Sequence, residues 1–167
     1  MIYEDIFRRL NEEKVNYIVV GGIALVLHGV VRLTADLDLI VKLQSDNLAK
    51  FISVMKKLKF KPKVPVKAED FIDPVNRQTW IEEKGMRVFS FYNPAEPAGL
   101  VDVFVDEPIE YRKLEAGKEW VEAGGIKIPV VSIRHLIRLK EISGRPQDVA
   151  DIKALREVMK FEKERRK

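Results

Sequence analysis

The chain has no cysteine and only two histidines in 167 residues. This excludes disulfides, thiolate metal centres and a cysteine nucleophile, and leaves too few nitrogen ligands for a zinc site. Any metal should therefore be held by oxygen. Long apolar runs are also missing. The longest, residues 17–31, is interrupted by Gly21, Gly22 and His28 and is short for a membrane span. The opening Met-Ile-Tyr-Glu-Asp lacks the basic start of a secretion signal, so a cytoplasmic protein without membrane attachment is expected. Internal repeats and low-complexity linkers are absent as well. The length suits one domain over residues 1–167, with a core to about residue 130 and a helix pair over about 131–162.

Charge is plentiful. A net +4 and a pI near 9.2 favour polyanionic partners. Six lysines (56, 57, 59, 61, 63 and 67) fall within twelve residues. A solvated helix end and loop is the simpler account of them. The alternative is a rim that attracts RNA or another polyanion, although no aromatic-basic RNA motif accompanies it.

The most informative stretch is 17–41. Tyr17–Val20 is an apolar strand ending in Gly21-Gly22, residues 23–28 suit a short helix, and a second strand opens with Asp36-Leu37-Asp38. Alternation on that strand puts Asp36 and Asp38 on one face, about 7 Å apart, with Leu37, Leu39 and Val41 on the other. Thirteen residues separate Gly22 from Asp36, enough for a helix and a return, so antiparallel strands would set the glycines beside the acids. Glycines at a strand-to-helix turn expose N–H groups suited to phosphate, and paired carboxylates suit Mg²⁺ shared with substrate phosphates. Singly, Gly-Gly is usually a turn and Asp-Leu-Asp-Leu an amphipathic strand. Together they outline a phosphoryl- or nucleotidyl-transfer site.

Gly21-Gly22, the thirteen-residue gap and Asp36-Leu37-Asp38-Leu39 resemble the signature of the DNA polymerase beta-like nucleotidyltransferase superfamily. The superfamily often has serine where Gly22 stands. A third acid is expected on a later strand, and Asp102, within the otherwise apolar residues 100–105, is the candidate. Arg32-Leu33-Thr34 resembles more narrowly the toxin-type nucleotidyltransferases of type IV abortive-infection systems, as do Lys140, Arg145, Asp148 and Asp151 near the end. The resemblance covers about residues 15–160.

It implies a nucleotidyltransferase fold of the α/β (α+β) class, with a mixed, mostly antiparallel sheet, flanking helices and a C-terminal helix pair. It also implies transfer of a nucleoside monophosphate from ATP or another NTP, with release of pyrophosphate. Asp36, Asp38 and Asp102 would hold two Mg²⁺ ions, Mn²⁺ being able to substitute, and Asp102 would help deprotonate the acceptor. Gly21, Gly22, Arg32, Thr34 and Lys140 would bind the nucleotide, with Arg145, Asp148 and Asp151 in support. The acceptor stays open between tRNA or other RNA, a protein and a small molecule, and a cognate toxin or antitoxin partner is implied. The rivals are a nucleotide-binding regulator or antitoxin-like partner without turnover, and an interaction module with solvated acids.

The remaining pattern predicts an amphipathic first helix carrying Ile2, Tyr3, Ile6, Phe7 and Leu10, and a helix capped by Ser45 with Leu48, Phe51, Ile52 and Met55 inward. Strands are expected over 79–81, 86–92 and 100–105, with a hairpin from Trp120-Val121 to Ile126–Val130. Trp80 and Trp120 should pack in the core and His28 should pack or cap. Ser132 and Gly144-Arg145-Pro146 should start the final two helices, with 161–167 frayed. Lys140 falls on the apolar stripe of the first of these, so it should meet Asp148 or Asp151, face the phosphates, or both.

Overall fold

The computed structural model describes residues 3–167; Ile2 lies outside the described residues. The strands are β1 (Tyr17–Val20), β2 (Leu37–Val41), β3 (Lys61–Pro62), β4 (Val88–Asn93), β5 (Glu96–Phe104), β6 (Glu119–Ala123) and β7 (Ile126–Val130). The helices are α1 (Glu4–Glu12), α2 (Gly21–Leu27), α3 (Ser45–Lys57), α4 (Pro74–Lys84), α5 (Tyr111–Gly117), α6 (Ile133–Ser143) and α7 (Pro146–Arg165). All the strands join one mixed, mostly antiparallel sheet in the order β3-β4-β5-β2-β1-β7-β6. β1 pairs antiparallel with β2, and β2 pairs parallel with β5.

Alternation along the strands gives this sheet two different faces. Leu37, Leu39, Val101, Val103, Phe89 and Phe91 share one face by register and are fully buried. Phe51 of α3 meets Phe91 edge-on at 5.9 Å, and Trp80 of α4 stacks on Phe89 at 5.2 Å. Each such aromatic pair adds about 0.5–1.5 kcal/mol beyond the area it removes from water. The opposite face carries Asp38, Asp102, Ser90 and Tyr92, all half-buried. The core therefore lies to one side of the central strands and the acids to the other.

Several sequence expectations change. Residues 79–81 are helical, because Asp73 caps α4 by accepting from the Val75 N–H, Pro74 starts it and Gly85 ends it at a left-handed φ of 59°. A stretch of three residues, Thr79-Trp80-Ile81, carries no period that separates helix from strand. Gln44, not Ser45, is the N-cap of α3, without a side-chain bond. Gly21 and Gly22 form the first turn of α2 rather than preceding it. Trp120 is 58 % exposed on β6, with the Lys118 ammonium 5.1 Å from its ring centroid, whereas Trp80 is buried as expected. Helix α7 runs on to Arg165, through most of the segment expected to fray. Helix α5 and a 3₁₀ turn at Ala68–Ile72 were not anticipated; the Glu107 carboxylate accepts from the Tyr111 N–H at the start of the first. His28 caps α2, its Nε2 2.7 Å from the Val131 carbonyl, and Ser132 caps α6 as read. Among the described residues no helix is long and apolar enough to cross a membrane.

Candidate active site

Registry across three strands builds the acid pair. Val20 lies opposite Asp38 on β1 and β2, and Asp38 lies opposite Asp102 on β2 and β5. Directly paired residues point the same way from a sheet, so residues 64 positions apart in the chain present their carboxylates side by side. Gly21 follows Val20 with a left-handed φ of 67°, and a Cβ there would sit 2.1 Å from Asp38 Oδ2. Only glycine satisfies both the backbone angle and that approach. A Cβ on Gly22 would meet Thr34 Oγ1 at 2.4 Å, so each glycine is packed by one polar side chain of the returning segment.

Asp36 stands one residue before β2, where its Oδ1 accepts from the Leu100 N–H at 3.0 Å. It is thereby tied to the start of the β5 pairing. The third acid approaches the pair without closing a compact cage: among the described residues no three acidic or histidine side chains form a ready-made metal cluster.

Burial and mutual repulsion set the electrostatics. The Asp38 carboxyl is pushed up to about 7, first by burial and then by Asp102 and Asp36, with Lys140 and Arg145 opposing. Asp102 is raised by burial and Asp36, while a hydrogen bond from Ser90 Oγ to its Oδ1, 2.5 Å long, and the charge of Lys63 hold it down. Two facing carboxylates in such surroundings suit a hard cation held by oxygen. Mg²⁺ is commonly bound by one or two carboxylates plus substrate phosphates, so the pair fits that ion without a third protein ligand in place.

A cleft of about 780 Å³ opens over this face, lined among others by Gly21, Asp38, Asp102, Lys140, Arg145 and Asp148. Lys140 is 4 % exposed, and its Nζ donates to Asp151 Oδ2 at 2.7 Å and to Asp148 Oδ1 at 3.1 Å. Arg32 donates to the other Asp151 oxygen at 2.5 Å, and Arg145 donates to Asp148 through its backbone N–H and its Nε. Burial alone would raise the Asp148 carboxyl, but the bonds from Lys140 and Arg145 bring it below its usual range. The chain Arg32–Asp151–Lys140–Asp148–Arg145 thus holds three cations on two anions beside the acid pair.

Of the residues marked in the sequence, Gly21, Asp38, Asp102, Lys140, Arg145 and Asp148 border the cleft. Asp36, Gly22, Thr34, Arg32 and Asp151 are tied to it through the contacts above. Two residues at the acids were passed over. Ser90 is the only hydroxyl between Phe89 and Phe91, the same break in an apolar strand that marked Asp102. Tyr3, read as helix packing, donates its hydroxyl to the Ala35 carbonyl; burial first, then Asp36, Asp38 and Asp102, push that hydroxyl up to about 12. No sequence signal linked a residue of the first helix to Ala35.

No family model matches the chain, and no curated protein matches it in sequence. Solved structures do resemble it. A Thermotoga maritima protein assigned as a nucleotidyltransferase is 19 % identical with a TM-score of 0.58, over 96 % of this chain and 91 % of that one. The lincosamide antibiotic adenylyltransferase LnuA, with lincomycin bound, is 17 % identical with a TM-score of 0.58, over 92 % and 93 %. ANT(2″)-Ia in complex with adenylyl-2″-tobramycin is 14 % identical with a TM-score of 0.62, over 97 % and 90 %. Likeness at such identities establishes architecture, and the chain has the nucleotidyltransferase fold.

Proposed function

We propose that this protein is a Mg²⁺-dependent nucleotidyltransferase that moves a nucleoside monophosphate from an NTP to a hydroxyl acceptor. The observation that carries this reading is the placement of Asp38 and Asp102 opposite each other on adjacent strands, with Asp38 against Gly21, at the floor of a cleft that also holds Lys140 and Arg145. A carboxylate pair kept uncomfortable by burial and repulsion is a site waiting for positive charge. One of the resembling structures is described as an adenylyltransferase and another holds adenylyl-2″-tobramycin, which makes ATP the first nucleotide to try.

In this reading Asp38 and Asp102, with Asp36 beside them, hold the metal. When bound, Mg²⁺ neutralises charge on the phosphates and orients them. The N–H groups of Gly21 and Gly22, with Lys140 and Arg145 across the cleft, receive the β and γ phosphates. The acceptor oxygen bonds to the α phosphorus, the bridge to the β phosphate breaks, pyrophosphate leaves, and the hydroxyl proton passes to the Asp102 carboxylate. Ser90 holds the carboxylate in place. The narrower toxin-type resemblance adds a cognate toxin or antitoxin to the proposal.

The test is incubation with each NTP labelled at the α phosphate, Mg²⁺, and total RNA or cell lysate, followed by locating the label. Label should move from at least one NTP with matching pyrophosphate. Mg²⁺-dependent NTP binding without transfer would instead identify a silent regulator. Absence of both would refute the reading.

A further inference from the structure

The row that contains the acids continues outward beyond them. Asp102 pairs with Ser90 on β4, and the Lys63 N–H donates to the Ser90 carbonyl at 2.8 Å just past β3. Val20, Asp38, Asp102, Ser90 and Lys63 therefore follow one another across five adjacent segments of the sheet. One step along the strands, Lys61 pairs with Tyr92, which pairs with Leu100. Paired residues share a face, so Tyr92 lies on the acid-bearing face with Lys61 beside it and Lys63 diagonal to it. Tyr92 is half-buried and Lys59, Lys61 and Lys63 are exposed, alternating with the packed Phe60, Pro62 and Val64.

Among the described residues Lys56 and Lys57 are spent on Glu69 and Glu13, whereas Lys59, Lys61 and Lys63 make no ion pair. Lysines and a proline also protect a sheet edge against pairing with another strand. That task needs charge alone, not an aromatic ring beside the charges.

Resting on the function proposed above, we infer that this platform binds the acceptor and that the acceptor is single-stranded RNA ending in a free 3′ hydroxyl. Lys61 and Lys63, about 7 Å apart on one face of an extended segment, suit a chain carrying one phosphate per residue. A triphosphate needs convergent cations, which Lys140 and Arg145 supply on the other side. The sheet order puts β1, with Gly21, on one side of the acid pair and the Lys63–Tyr92 edge on the other. A nucleophile must enter opposite the departing pyrophosphate, so the edge lies on the acceptor's side. Tyr92 offers a stacking surface for a base, and the two lysines along the edge beside it hold the backbone.

Fluorescence anisotropy with a 5′-labelled, mixed-sequence single-stranded RNA tests this without turnover. Wild-type protein should bind with a salt-dependent affinity. The double variant Lys61→Ala/Lys63→Ala should reduce the log–log salt slope by about 1.4, since single strands lose about 0.7 per phosphate contact. Tyr92→Ala should weaken binding about 5- to 150-fold, the loss of one stacked base. Calorimetric Mg²⁺–NTP binding should keep its wild-type affinity in Tyr92→Ala, which separates failure at the edge from failure of the nucleotide site. Undiminished RNA affinity in the variants, no RNA binding by the wild type, or poly-glutamate binding as tightly as RNA would each overturn the inference.

Discussion

Replacing Asp38 with asparagine should make the protein more stable, and by an amount that depends on pH. The carboxyl titrates near 7 in the fold, against an ordinary 3.8, because burial, Asp102 and Asp36 all disfavour its charge. Between those values the folded protein keeps a proton that the unfolded chain has released. Stability attributable to this group therefore falls as pH rises from about 4 to about 7 and is level above that. The difference of roughly three pH units corresponds to a ceiling of about 4 kcal/mol at about 1.4 kcal/mol per unit. That shift is already net of the attraction to Lys140 and Arg145; discounting it by about half, because the half-buried carboxylate keeps part of its hydration, leaves ~2 kcal/mol as stabilisation. At about 2–4 °C per kcal/mol for a chain of this size, the melting temperature should rise about 4–8 °C at pH 8. The gain should shrink to roughly a third at pH 5 and vanish near pH 4. Differential scanning calorimetry across that range, without metal or nucleotide, reads it directly. A gain independent of pH, or a variant that melts lower at pH 8, would refute the electrostatic account of the pair. The wild type should also gain melting temperature from Mg²⁺ with an NTP, and the variant should lose that gain.

Four further outcomes follow from the geometry. Gly21→Ala forces a Cβ onto Asp38 Oδ2 at a left-handed φ, so it should cost about 2 kcal/mol or more and abolish NTP binding, read by chemical denaturation and calorimetric titration. Asp102→Ala should fold with an unchanged or higher melting temperature while label transfer falls by orders of magnitude; near wild-type transfer would place the activity elsewhere. Lys140→Met removes the shared cation from two buried carboxylates, each of which keeps one arginine, so urea unfolding should show a loss of about 1–3 kcal/mol, and unchanged stability would count against the network. Tyr3→Phe leaves the Ala35 carbonyl without its donor and should cost about 1–3 kcal/mol in the same assay.

The half of the candidate site that is local in the chain is legible in the sequence. Gly21, Gly22, Asp36 and Asp38 fall within eighteen residues, and glycine-turn chemistry with strand alternation constrains them closely. Asp102 was legible because a lone acid in an apolar strand is costly and needs a reason. Lys140 was legible by the same logic on a helix, and its predicted meeting with Asp148 or Asp151 involves both. Readings failed where periodicity was too short to decide, as at residues 79–81, or where partners came from distant segments. Nothing in the pattern around Tyr3 points to Ala35, nor in Arg32 to Asp151, because these contacts exist only once sheet order and helix docking are settled. Trp120 shows the converse: an aromatic on a hairpin face suits packing equally well when another element covers it, and here, among the described residues, none buries it.

The Arg32–Asp151 bond joins residues 119 positions apart, the segment that delivers the acids to the last helix of the chain. Its consequence is thermodynamic reciprocity. Any compound that holds the 30–36 segment in place also raises the free energy needed to lift α7 away, and by the same amount a ligand that steadies α7 tightens the hold on that compound. The far end of the chain thereby becomes a handle on the segment that carries Asp36.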